Sequence, residues 1–384
     1  MIIRRVVSQR RKSHPEMTMA IKNTSLYGAV LAALSLGFAA MPAAAETRGY
    51  VIGWFATATH STNFEENCPQ NKNGGYTELL IRDLVDIGYS KSEATEIVSK
   101  AKENLPSELR VRTTNRAVVN GKKVSVYNYP EAVTRDLETV VGRYGYGFDL
   151  DGKPSPNDFE DPDTHQMVDN QLWRAIGCTD SYRAIPPTKP YPEGLPWDTL
   201  TDTSPGWALA IEGDDLTKDG DVVVTLDRLT QHLVRDANGD ILSGATYVLD
   251  PNSRSHNVLA GKMKDGLITI GRHERIYLES EMPFYAEINL RDAQMRLELS
   301  DDGTVVGYTG GYLKWIDFAY MHTARPANGA DSIGIYHALK KMADAFPDPE
   351  TGENQYISGT FRLVATPAYL ANVDNEIVAV SVEP

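Results

Sequence analysis

Residues 284–315 read FYAEINLRDAQMRLELSDDGTVVGYTGGYLKW, and the alternation inside this stretch decides what kind of fold the chain builds. Ile288 and Leu290 share one parity, whereas Met295, Leu297 and Leu299 share the other. Successive side chains of a strand point to opposite faces, so an unbroken strand would turn one of these apolar sets toward water. One extra residue repairs the mismatch, which places a β-bulge near Asp292-Ala293. Asp302-Gly303 then turns the chain into a second strand over 304–315. Gly307, Gly310 and Gly311 inside that strand mark bending or a close backbone approach.

Outward from this pair, short runs separated by Gly, Asp and Asn repeat the strand pattern: Trp207 to Ile211, Asp221 to Leu226, Leu267 to Ile270, Arg275 to Glu279, Phe361 to Ala365 and Ile377 to Val382. One helix interrupts them, with Ser332 as its cap, Ile335, Leu339, Met342 and Phe346 as its stripe, and Pro347 as its stop. Upstream, residues 48–60 form an opening strand, and Tyr76, Leu80, Leu84 and Ile87 fall on one helical face. A capping box at Ser90–Glu93 starts a second helix that Pro106 closes, and Asn120-Gly121 makes a hairpin turn. A third helix is expected from Pro130, with Val133, Leu137 and Val140 turned inward. Five prolines in IPPTKPYPEGLPW, residues 185–197, deplete backbone donors and read as an extended linker. The expected fold is α+β: a mainly antiparallel β-sandwich over 198–384, the linker, and a smaller helix-containing α+β domain over 46–184.

Residues 1–45 read as a signal peptide. Arg4, Arg5, Arg10, Arg11, Lys12 and Lys22 are followed by an apolar run from Leu26 to Ala40 and the small residues Ala43-Ala44-Ala45. The run is shorter than the roughly 20 residues of a membrane span. A periplasmic or secreted protein without a membrane span is therefore expected. The 384 residues carry a net charge of −14, and cleavage after Ala45 would leave 32 basic against 51 acidic residues. Such a surface attracts divalent cations and disfavours nucleic acid, whose phosphates need clustered Lys and Arg. Cys68 and Cys178 are the only cysteines, and in an exported chain the simplest pairing joins them. Closing so long a loop is worth at most about 4–5 kcal/mol in the chain-entropy picture.

The densest group of chemistry-bearing residues is GFDLDGKPSPNDFEDPDTHQMVDN, residues 147–170. Asp149, Asp151, Asp158, Glu160, Asp161, Asp163 and Asp169 are opposed by Lys153 alone. Calcium accepts six to eight hard oxygens in irregular geometry, so Asp149, Asp151, Asp158, Asp163 and Asp169 are candidate calcium ligands, the alternative being a solvated acidic loop. Pro154 at the position that needs glycine, and Pro156, argue against a regular EF-hand. Asp214, Asp215, Asp219 and Asp221, and Asp236, Asn238 and Asp240, have ligand-like alternation but read more readily as plain turns.

The histidines make no H-E-x-x-H or similar zinc spacing, and no G-x-S-x-G, Walker or dinucleotide loop is present. Trp207, Tyr312 and Trp315 could stack on sugar rings, although aromatic residues of this kind more often fill a core.

The strings GFDLDGKPSPNDFEDPD, VDNQLWRAIGC, VVGYTGGYLKW and ALKKMADAFPDPETG resemble an uncharacterised family of secreted proteobacterial proteins, marked by DLDG…VDNQ and a GxxGGY strand. The resemblance spans most of the chain after residue 45 and implies membership and export, with no activity to carry over. The expectation is a secreted, non-enzymatic calcium-binding protein that engages an extracellular or periplasmic ligand or partner. Its rival is a carbohydrate-active enzyme or lectin acting on extracellular glycans.

Overall fold

A computed structural model describes residues 45–60, 64–70, 73–101, 113–179, 182, 204–279, 287–323 and 331–382. Eight strands follow one another around a closed antiparallel barrel: β1 Glu46–Thr57, β2 Trp207–Gly213, β3 Gly220–Arg228, β4 Asn257–Lys264, β5 Leu267–Leu278, β6 Ile288–Leu299, β7 Val305–Lys314 and β8 Asn354–Pro367. The register runs from Tyr50 to Leu209 to Leu226, from Val224 to Leu259, and from Met263 through Ile268, Leu297 and Gly307 to Leu363. Leu363 pairs in turn with Phe55, which closes the ring.

The expected β-sandwich with a separate helical N-terminal domain is therefore incorrect. The opening strand is not part of another domain: β1 lies between β2 and β8 and shuts the barrel. Alternation specifies that each strand has an apolar face, but a sandwich and a barrel satisfy it equally. The 185–197 linker lies outside the described residues.

Ile52, Leu209, Val224, Leu259, Leu297 and Leu363 fill the interior and are at most 1% exposed. Outward positions include Lys262, Arg275, Arg291 and Glu298. This apolar-in, polar-out pattern is the reverse of a lipid-facing barrel. The bulge at 292–293 is present: pairing slips between Arg291 and Gln294, Asp292 adopts φ 49°, and burial switches from Ile288 and Leu290 to Ala293, Met295 and Leu297. A second bulge in β5 lies between Ile270 and His273.

Helices α1 Tyr76–Asp86 and α2 Lys91–Ala101 form as expected, and α2 starts with the Ser90–Glu93 box. The expected helix from Pro130 is only one 3-10 turn, Pro130–Ala132. Helices α3 Gln171–Ile176, α4 Trp315–Thr323 and α5 Ser332–Met342 plug one end of the barrel, where Leu172, Ile176, Phe318, Ile335 and Leu339 join its core. Asp331, not Ser332, caps α5 by accepting from the Gly334 N–H at 3.0 Å. Pro347 does not stop α5, which ends at Met342; residues Ala345–Pro347 pair with β8 instead. No helix among the described residues is long and apolar enough to cross a membrane.

Candidate metal centre

The acidic segment lies on the outer face of β6, β7 and β8. Along β7 the odd positions look into the barrel, leaving Tyr308, Gly310 and Tyr312 to face this segment. Phe148 fills the dip left by Gly310, where an added Cβ would come within 2.5 Å of the phenyl ring. Phe148, Leu150 and Tyr312 form a small core of their own. The two bulges turn polar side chains toward the same backbone: Gln294 Nε2 donates to the Asp149 carbonyl at 2.9 Å, and Arg272 donates to the Leu150 carbonyl. Re-aiming a side chain is what a bulge does to a strand.

The DLDG turn is held by its own carboxylates. Gly152, at φ 72°, directs its N–H to Asp149 Oδ1 at 2.7 Å, and the Lys153 N–H meets Asp151 Oδ1 at 2.7 Å. Phe148 bridges to Asp169 in antiparallel fashion, and Asp169 Oδ2 accepts from the Leu150 N–H at 2.7 Å. The rest of VDNQ locks this arrangement in place. Asn170 Oδ1 caps α3 through the Trp173 N–H at 3.0 Å, its Nδ2 donates to the Tyr146 carbonyl, and Gln171 N–H donates to Ser358 Oγ.

Asp149, Asp151 and Asp169 each bring a carboxylate oxygen within 4.8 Å of the others, a group able to hold a metal ion. Asp149 and Asp151 are exposed, and Asp169 is 8% exposed. Burial pushes the Asp169 carboxyl up to about 6, against the Leu150 N–H, with repulsion from Asp151 and Asp158 adding to the rise. This is the electrostatic state of a carboxylate group that a cation would relieve.

Two of the five candidate ligands lie outside this group. Asp158 caps the Ser155 N–H at 2.7 Å, and Asp163 lies 3.8 Å from the Arg296 guanidinium. Both are spent on the shape of the loop. The fully buried Asp161, accepting from Gly147, Asp163 and Thr164 N–H groups and from Arg296, pins the segment to β6.

Asp344 joins the site although no local pattern marks it. It is open to solvent on one side, accepts from Ser358 N–H and Oγ at 2.8 and 2.6 Å, and is pushed up to about 6 by burial, with Asp151 also repelling it. Only the pairing of 345–347 with β8 brings it there. Burial and the charges of Asp169, Asp344 and Asp151 raise the Tyr312 phenol.

Trp207, Tyr312 and Trp315 do not form a shared stacking face. Trp207 is fully buried edge-on to Phe55, with Nε1 on the Glu279 carbonyl, and Trp315 donates to the Asn354 carbonyl. Both seal the helix-plugged end of the barrel, and Tyr312 alone reaches the acidic site. The lesser acidic loops are turns: Asp236 Oδ1 accepts from Asn238 and Asp240 N–H groups, and Asp215 pairs with Lys218.

Cys68 and Cys178 are joined in a disulfide, packed with Val140, Phe159, Val168 and Trp173 beneath the acidic segment. Comparison with family models, curated proteins and solved structures finds no match for the chain.

Proposed function

We propose that this chain is an exported, non-enzymatic calcium-binding protein, in which the ion fastens the acidic segment to the outside of the barrel and the assembled surface engages a ligand or partner. The convergence of Asp149, Asp151 and Asp169 carries this reading. Calcium suits three carboxylates on an irregular loop better than magnesium, which demands a near-octahedral shell. The disulfide and the acidic balance of the chain fit an oxidising, calcium-rich compartment. Membership of the secreted family that the sequence resembles belongs to the same proposal. Calorimetric titration with calcium tests it. One site of submillimolar to millimolar affinity is expected, lost in Asp169→Asn. Absence of heat at that concentration, with the chain folded, would refute it.

A carbohydrate-active enzyme is the second reading, and Asp344 favours it. Two carboxyls raised to about 6, Asp169 and Asp344, stand around Tyr312. A carboxyl raised toward neutral pH with a second carboxyl close by is the arrangement from which a general acid and its partner are built. A glycoside substrate panel assayed on Asp344→Asn and the parent chain separates the two: turnover lost in the variant supports the enzyme, and binding without turnover supports the module.

A further inference from the structure

Strands β6 and β7 part before either of them ends. Their last pair is Arg291 with Tyr312, although β6 stays on β5 as far as Ile288 with Leu278, and β7 stays on β8 as far as Lys314 with Tyr356. The barrel wall is therefore split between 288–290 and 313–314. A cavity of about 180 Å³ enters through the split. Its inner walls are Leu290, Leu313, Phe318 and Phe361, none more than 8% exposed. Behind Phe361 lies Phe55, stacked at 5.2 Å between ring centroids, so the floor is aromatic and fixed.

A void of about 150 Å³ lined by Leu, Ile and Phe stays dry and admits benzene, which sets the scale. This cavity has room for one six-membered ring and not for a fatty chain. Its mouth carries the selectivity. Glu287 is held by Arg254 at 2.6 Å, and the Asn289 side-chain oxygen accepts from Arg275. Asp317, on the first turn of α4, is exposed at the same mouth and makes no side-chain hydrogen bond or ion pair among the described residues. Arg254 already neutralises Glu287, and Lys314 is exposed on the same rim, so Asp317 is the carboxylate of the mouth left without a cation among the described residues. The chain as a whole is acidic, which favours a cationic head group over an anionic one.

We infer that the split between β6 and β7 binds a small monocyclic amine, its ring held by Leu290, Leu313, Phe318 and Phe361 and its ammonium by Asp317. The site is separate from the acidic triad and does not depend on calcium. The test titrates the full exported chain with 2-phenylethylamine and, separately, with 3-phenylpropionate, which carries the same ring on an anionic head. The amine is expected to bind at millimolar concentration or tighter, and the acid about tenfold more weakly. Asp317→Asn should weaken the amine about tenfold, whereas Lys314→Met should leave it unchanged or tighter. Both positions are exposed, so neither change threatens folding. Leu313→Phe should fill the cavity and abolish binding; if it unfolds the chain, the two surface variants still decide. No binding of either probe up to about 10 mM would overturn the site. Equal or tighter binding of the acid, or an unchanged amine affinity in Asp317→Asn, would overturn the assignment of its ligand.

Discussion

The Phe148 ring rests on Gly310, so closely that a Cβ at residue 310 would come within 2.5 Å of it and within 2.9 Å of Thr360 Oγ1. The glycine-rich strand and the acidic loop are thus two halves of one contact: the strand lacks a side chain where the loop needs room for an aromatic ring. Gly310→Ala is expected to cost about 1–3 kcal/mol by overpacking and to weaken calcium binding by lifting Phe148, the neighbour of Asp149. Denaturant titration and calcium calorimetry on the same variant check both.

Arg296 is the cation that allows Asp161 to be buried. Asp161 is fully buried and its partner's side chain is 13% exposed, at 3.2 Å. Burial alone would raise the Asp161 carboxyl; N–H donors from Thr164, Gly147 and Asp163 together with Arg296 bring it below the usual carboxylate range. Arg296→Met leaves a buried charge with fewer partners and should cost about 3 kcal/mol, seen as a lower denaturant midpoint. Asp161→Asn should also destabilise the chain, because its one oxygen can serve the Asp163 and Thr164 N–H groups but its NH2 then faces the Gly147 N–H and Arg296.

Much of the secondary structure is legible in the sequence, and the fold is not. The parity switch between Leu290 and Met295 locates the bulge because a buried face tolerates no slip. The Asn120-Gly121 hairpin and the Ser90–Glu93 box form because each depends only on its own residues. Closure of the barrel depends on β1 meeting β8, strands from opposite ends of the chain, and nothing within either strand names its partner. The stripe after Pro130 fails as a helix because Arg135 is drawn instead into a buried ionic group with Asp83 at 2.9 Å and Asp331 at 3.4 Å. Likewise Asp149, Asp151 and Asp169 stand out by density, whereas Asp344 arrives through sheet pairing, and the cap of Asp158 on Ser155 and the approach of Asp163 to Arg296 exist only in the folded loop.

The raised Asp169 carboxyl makes stability depend on pH in a stated direction. Its folded value of about 6 exceeds an unfolded value of about 3.9, so the native state binds this proton more tightly. Both states are protonated below about 4, and the ionised group destabilises the native state progressively between about 4 and 6 and fully above that. In chelator the chain should therefore melt higher at about pH 5 than at about pH 7, a difference reduced in Asp169→Asn. Calcium needs the ionised carboxylate, so its stabilising effect should be larger at the higher pH. Thermal melts over this range, with and without calcium, check the sign.

The Cys68–Cys178 bond ties the segment before α1 to the end of α3, beneath the acidic loop. Replacing both cysteines with serine should lower stability by about 2–4 kcal/mol. The loss should appear in urea titrations of the variant against the oxidised parent.

The calcium site is tested by thermal unfolding in chelator and in calcium at a hundredfold excess over the Kd found by calorimetry, on the native sequence and on a chain carrying Asp149→Asn with Asp151→Asn. An ion that binds only the folded state adds about 2.7 kcal/mol at a hundredfold excess over Kd. The native sequence should melt several degrees higher in calcium, magnesium should have a smaller effect, and the double variant should show no calcium response. A native midpoint that is the same in chelator and in calcium would contradict the calcium site and leave Asp149, Asp151 and Asp169 as an acidic surface alone.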